Sequence, residues 1–172
     1  MINKQLTVLI NQLNFTVGAI EENADKIINV IKKNQANHDL ILFPELALTG
    51  YPPEDLLFRP NLHERVQNSL NQIASITKLC HVIVGHPQLE SHKIFNAASI
   101  FYAGICIKQY YKQKLPNQGV FDEKRYFTEG PAEPCLFTIN NYQLGLCICE
   151  DIWHEGPVEQ VVDAGAEILL AP

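Results

Sequence analysis

Apolar positions along the chain switch between two periods, and each switch marks an element. Residues 6–10 (LTVLI) form an unbroken apolar run, which predicts a short buried strand. Over residues 19–33 the spacing turns helical. Ile20, Ala24, Ile27, Ile28 and Ile31 share one face, while Glu21, Glu22, Asp25 and Lys32 point away. Residues 40–43 (LILF) read as a second strand stopped by Pro44, and residues 61–79 return to helical spacing through Leu62, Val66, Leu70, Ile73 and Ile76. Val82–Val84 reads as a third strand that stops near Gly85 and Pro87.

Hairpins follow. Residues 94–101 and 105–111 pair across Ala103-Gly104, and residues 135–139 and 143–149 pair across Asn140-Asn141-Tyr142. Between the hairpins, residues 112–134 are polar and broken by Pro116, Gly119, Gly130, Pro131 and Pro134. A loop longer than about 12–15 residues in a folded domain is usually functional or disordered. A short helix over 157–164, closed by Gly165, leads to a last apolar strand at 167–171. Strands alternating with amphipathic helices, mixed with hairpins, predict a layered α/β fold. A core strand at a free end lacks a covering element, so the reading is a piece of a longer protein.

Length and charge narrow the function. The 172 residues suit one domain, and 47% hydrophobic with 19% charged residues is a globular composition. A formal charge of −6 supplies no positive field for nucleic acid or an anionic membrane. No apolar run reaches the ~20 residues needed to span a bilayer. The start, Met1-Ile2-Asn3-Lys4-Gln5, shows no signal-peptide pattern, and five cysteines without framework spacing suit a reducing, cytoplasmic setting.

Phosphate-binding glycine loops, G-x-S-x-G and paired C-x-x-C are all absent. Cys147, Cys149 and His154 could supply zinc ligands, but C-x-C within an apolar strand reads better as core packing, so no metal is expected. Three strand ends carry the remaining chemistry. Glu45 follows Phe43-Pro44 in apolar surroundings, where a carboxyl must be paired or protonated; desolvation suits it to general-base work. Lys112 and Lys114 share one face of Tyr110-Tyr111-Lys112-Gln113-Lys114, and the residues alone do not choose between them. Nearby, Asp122-Glu123-Lys124-Arg125 could be no more than a salt-bridged surface turn. Cys149 closes the strand Leu144-Gly145-Leu146-Cys147-Ile148-Cys149 just before Glu150 and Asp151, with Cys147 more deeply set. A carboxylate that takes a thiol proton, beside an ammonium that favours thiolate and holds an oxyanion, suits attack on an amide or nitrile through a thioester.

These residues, in the order Glu, Lys, Cys, resemble the nitrilase, or carbon–nitrogen hydrolase, superfamily, and in particular the glutaminase domain of glutamine-dependent NAD+ synthetases. LILFPELALTGYPPEDLL at 40–57, YYKQKLPNQGVFDEKRYFTEG at 110–130 and LGLCICEDIW at 144–153 carry the resemblance, which runs over essentially the whole chain. It implies an α-β-β-α sandwich, with residues 1–172 as the N-terminal part of a longer hydrolase domain and the synthetase domain outside the chain. It implies Glu45 as general base, Lys112 rather than Lys114 as the catalytic lysine, and Cys149 as nucleophile. Glu123 matches a second active-site Glu. Tyr51, Glu150 and Trp153 match positions near the glutamine pocket. Gln118 stands where relatives often carry Tyr in the substrate loop. The implied substrate is L-glutamine. Its ammonia would be channelled to a synthetase domain that amidates deamido-NAD+ with ATP and Mg2+, in a cytoplasmic homo-oligomer. No cofactor is expected in this domain. The alternatives are a stand-alone amidase for another ω-amide or carbamoyl compound, a silent scaffold of the same fold, and a redox or metal module built on Cys147 and Cys149.

Overall fold

The computed structural model describes residues 5–172. Residues Met1–Lys4, on which the reading of the chain's start rests, lie outside the described residues. The first strand, β1 (Val8–Ile10), is followed by helix α1 (Ile20–Asn34), strand β2 (Leu40–Leu42), helix α2 (Leu62–Ile76) and strands β3 (His81–Glu90), β4 (Lys93–Tyr102) and β5 (Ile105–Tyr111). After the long loop come β6 (Cys135–Ile139), β7 (Tyr142–Leu146), helix α3 (Pro157–Asp163) and β8 (Ile168–Leu170).

Two sheets result. β1 to β5 pair in sequence order, parallel from β1 to β3 and antiparallel from β3 to β5. β6, β7 and β8 form the second sheet, with β6–β7 antiparallel and β7–β8 parallel. The period-two rule then assigns each face. On β3, Val82 and Val84 face the apolar sides of α1 and α2, where Ile20, Ile27, Ile31, Val66 and Ile73 are buried. Ile83 faces the other way and meets Ala98, Ile100, Leu144, Leu146 and Ile148 between the sheets. Behind β7, Gly145 lies under Val161 of α3. The layers are therefore helices, sheet, sheet, helix, which is the expected α-β-β-α sandwich. Each fully buried Ile in these layers contributes about 1.5–3 kcal/mol through removal of its surface from water.

Helix α1 also satisfies its macrodipole, with Glu21 and Glu22 in the first turn and Lys32 and Lys33 in the last. Arg65 of α2 grips Glu21 with two hydrogen bonds, from Nε to Oε1 at 2.7 Å and from Nη2 to Oε2, and holds that carboxyl down at about 2.

Four expectations need correction. β1 is not buried: Val8 and Ile10 are exposed because the strand lies at the sheet's outer edge. Helix α2 ends at Ile76, where Thr77 turns extended and bonds Ile73 O through its hydroxyl at 2.8 Å. β3 does not stop at Gly85 and Pro87 but runs to Glu90. β2 pairs only with His81–Ile83, so further along, the missing N–H of Pro87 falls on an edge without a strand and costs no ladder bond. Cys149 does not close a strand either. β7 ends at Leu146, and Cys149 opens a 3-10 turn, Cys149–Trp153, with φ +41°.

Candidate active site

Glu45 sits on a turn just after β2, and the chain folds there because Gly85 of β3 has no side chain. A Cβ on Gly85 would lie 2.5 Å from both Leu46 N and Pro44 O. Leu48 N–H also bonds Gly85 O at 3.2 Å, so the turn lies directly on the β3 backbone. Lys112 stands one residue past β5. Its N–H donates to Asn96 O at 2.8 Å, and its own carbonyl accepts from Gly130 N at 2.8 Å. The long loop is therefore fastened at both ends of its span, and it delivers Glu123 inward.

The ammonium of Lys112 is fully buried between two carboxylates. Its Nζ lies 2.6 Å from Glu45 Oε1 and 3.0 Å from Glu123 Oε2. Asn96 Nδ2 donates to Glu45 Oε1 at 2.7 Å, and the Tyr51 hydroxyl donates to Glu123 Oε1 at 3.0 Å. Burial by itself pulls Lys112 down, but the charges and hydrogen bonds of Glu45 and Glu123 outweigh it and hold the lysine above its ordinary range. Burial and the neighbouring Glu45 charge push Glu123 up against the pull of Lys112 and Tyr51. Tyr51 is likewise raised by burial first and by both carboxylates next.

Cys149 completes the group, with its thiol able to hydrogen-bond Glu45. Its side chain is reached by solvent, and partial desolvation with the Glu45 charge pushes it up to about 11, against the opposing pull of Lys112. The ammonium does pull toward thiolate as expected, but desolvation and the Glu45 carboxylate outweigh it, so the net direction is upward and Glu45 is the acceptor beside the thiol. Among the other thiols, Cys80, Cys135 and Cys147 are buried, and Cys106 is exposed.

A buried carboxylate that the sequence reading named beside Cys149 without giving it a role joins the two halves of the site. Asp151 accepts the N–H groups of Gln113 and Lys114 with Oδ1, at 3.0 and 2.8 Å, and the Tyr110 hydroxyl and Ile148 N–H with Oδ2, at 2.8 and 3.0 Å. It thereby staples the Cys149 turn to the chain just after Lys112. Its signal was its place in Cys149-Glu150-Asp151, one residue past a polar neighbour. Asn96 was missed as well, although it is the one amide in the apolar run Ile94-Phe95-Asn96-Ala97-Ala98.

The remaining candidates divide. Tyr51 and Glu123 join the cluster. Lys124 and Arg125 behave as the surface reading predicted, pairing with Glu129 and Asp55 at 3.5 Å each, while Glu123 just before them turns inward. Lys114 gives the cluster its backbone only. Glu150 bonds His154 at 2.9 Å instead of the lysine, and Trp153 is 77% exposed on the same turn. Gln118 lies on the exposed part of the loop, where its carbonyl accepts Phe121 N–H at 3.1 Å. A cleft of about 670 Å³ abuts the cluster and shares Tyr51 and Glu123 with it; Pro52, Asp55, Phe121 and Arg125 also line it. Among the described residues, no group of three or more His, Cys, Asp or Glu side chains is placed to hold a metal, and no helix is long and apolar enough to cross a membrane.

The four-layer sandwich thus brings a carboxylate, an ammonium and a thiol together beside a cleft. The carbon–nitrogen hydrolase family model matches residues 7–172, and the chain belongs to that family. Within it, the chain is similar to glutamine-dependent NAD+ synthetases, the branch that the three sequence segments resemble. It is 42% identical over 170 residues to that of Xanthomonas campestris, covering 97% of this chain and 31% of the relative. It is 41% identical over 168 residues to that of Aquifex aeolicus, covering 96% and 29%. The solved glutamine-dependent NAD+ synthetase of Acinetobacter baumannii superposes with a TM-score of 0.91 at 34% identity, over 96% of this chain and 32% of that one. The chain thus spans about a third of the length of these relatives.

Proposed function

We propose that the chain is the glutamine-hydrolysing part of a glutamine-dependent NAD+ synthetase. The observation that carries this is the Lys112 ammonium, sealed between Glu45 and Glu123 at 2.6 and 3.0 Å with the Cys149 thiol beside Glu45. Cys149 Sγ attacks the side-chain carboxamide carbon of glutamine as Glu45 takes the thiol proton. The C=O electron pair moves to oxygen, and Lys112 faces the resulting oxyanion. When the C–N bond breaks, the proton on Glu45 passes to the leaving nitrogen, which departs as ammonia. Glu45 then takes a proton from water, the hydroxide adds to the thioester, and glutamate leaves as the proton returns to sulfur.

Glu45 accepts the thiol proton as the sulfur attacks, so proton transfer and attack are coupled. Glu123 holds the ammonium, Tyr51 holds Glu123, and both border the cleft in which glutamine binds; the resemblance assigns Glu150, Trp153 and Gln118 to the neighbourhood of the substrate. The ammonia passes to a synthetase portion outside this chain, which uses ATP and Mg2+ to amidate deamido-NAD+. The intact enzyme works as a cytoplasmic homo-oligomer.

The test is Cys149→Ala in the intact enzyme. Glutamine-dependent NAD+ formation is lost, while added ammonia still supports synthesis. Equal loss of both activities would contradict the role given to Cys149.

A further inference from the structure

The two oxygens of Glu45 are not equivalent, and the difference has a source. Both N–H donors that reach this carboxylate fall on Oε1: Lys112 Nζ at 2.6 Å and Asn96 Nδ2 at 2.7 Å. Oε2 is clear of N–H donors among the described residues. Asn96 is fully buried, and its amide orientation is forced, because a carboxylate only accepts and the NH2 must face it. Its Oδ1 consequently has no hydrogen-bond partner although it is buried. A buried acceptor left unpaired is a cost that an apolar side chain of the same size would avoid. The backbone of the same residue holds the second group, since Asn96 O accepts Lys112 N–H at 2.8 Å. One position on β4 therefore sets where both Glu45 and Lys112 stand.

We propose that Asn96 is a positioning residue that divides the work of Glu45, anchoring Oε1 and leaving Oε2 as the oxygen that exchanges the proton with Cys149. The inference rests on the reading of Glu45 as the general base. An unanchored carboxylate beside Lys112 rotates, offers the sulfur an oxygen already engaged by the ammonium, and loses its alignment for proton transfer. Lys112, Glu123, Tyr51 and Cys149 are the charged and titratable groups around Glu45, and none of them replaces the Asn96 donor.

Two variants of the intact enzyme test this, with glutamine hydrolysis and thermal stability both measured. Asn96→Leu keeps the branched shape of the side chain and removes both the donor and the orphaned acceptor. We expect stability to be retained, kcat to fall roughly 100-fold as the reacting oxygen is misplaced, and KM to change little. Asn96→Asp places a second acceptor against Glu45. Its activity is low near neutral pH and climbs relative to wild type as pH falls, because the protonated Asp regains a donor. Cys149 alkylation by iodoacetamide slows in parallel in Asn96→Leu. Wild-type kcat in Asn96→Leu, or a pH profile of wild-type shape in Asn96→Asp, overturns the proposal. If Asn96→Leu does not fold, the Asn96→Asp profile decides alone. Cys149→Ala is run alongside: if it still hydrolyses glutamine, the reading of the site fails. If it is inactive while both Asn96 variants behave as wild type, only this inference fails.

Discussion

Asp151 Oδ1 accepts the backbone N–H of Lys114 at 2.8 Å, across 37 residues of chain. Through this bond and its neighbour from Gln113, the turn that starts at Cys149 is locked to the segment that starts at Lys112. The distance between thiol and ammonium is thus fixed by a buried carboxylate that touches neither. Replacing Asp151 with Ala strands the N–H groups of Gln113, Lys114 and Ile148, each orphaned donor costing about 1–3 kcal/mol. The expected outcome is a drop in unfolding free energy together with a kcat loss of about 100-fold as the two groups drift apart. Denaturant melts and steady-state kinetics check both, and a variant that loses stability while keeping wild-type kcat contradicts the staple.

A second prediction concerns the ion triad. Lys112 is fully buried, so removing its charge leaves Glu45 and Glu123 facing each other without a cation. Lys112→Met should cost about 3–5 kcal/mol, the usual result of breaking a buried pair from one side. Adding Glu123→Gln should restore part of that stability and none of the activity, since the oxyanion still lacks its cation. Chemical denaturation and turnover of the two variants separate the structural from the chemical share.

How much of this could be read from the chain alone is itself physical. The helical period of Ile20, Ala24, Ile27 and Ile31 is a local signal and gave α1 nearly to the residue. The turns at Ala103-Gly104 and Asn140-Asn141 were also local, and all four residues adopt positive φ. Edge position is not local: β1 is exposed and β3 passes through Pro87 because of what does or does not pair beside them. The same divide holds at the site. Strand ends flagged Glu45, Cys149 and the pair Lys112 and Lys114, between which only the family resemblance chose, but Asn96 and Asp151 act through partners 51 and 38 residues away, and no spacing rule reports such bonds.

Gly85 supplies a third prediction. Because a Cβ there would sit 2.5 Å from the backbone on either side of Glu45, Gly85→Ala must push the Glu45 turn off the sheet. Backbone cannot swing away as a flexible side chain can. The variant is expected to lose about 1–3 kcal/mol, the range for overpacking, and to lose activity beyond what its remaining folded fraction explains. Activity per folded molecule equal to wild type would show that the Glu45 turn tolerates the shift.

A fourth concerns alkaline pH. Burial raises the thiols of Cys80 and Cys135 to about 11 and that of Cys147 to about 12, above the ordinary 9.0. The folded state holds these protons more tightly than the unfolded chain. The resulting stability is fully present below about pH 9 and is lost as pH rises through 11 to 12. Urea midpoints should therefore hold steady up to about pH 9 and then fall, and replacing Cys147 with Val should lessen the fall.

The most direct test of the central claim is the covalent one. A diazoketone analogue of glutamine is incubated with the intact enzyme and the labelled peptide is identified by mass spectrometry. The account predicts one label, on Cys149, that tracks loss of glutamine hydrolysis and is prevented by excess glutamine. Label on the exposed Cys106, or inactivation that glutamine does not prevent, would contradict it.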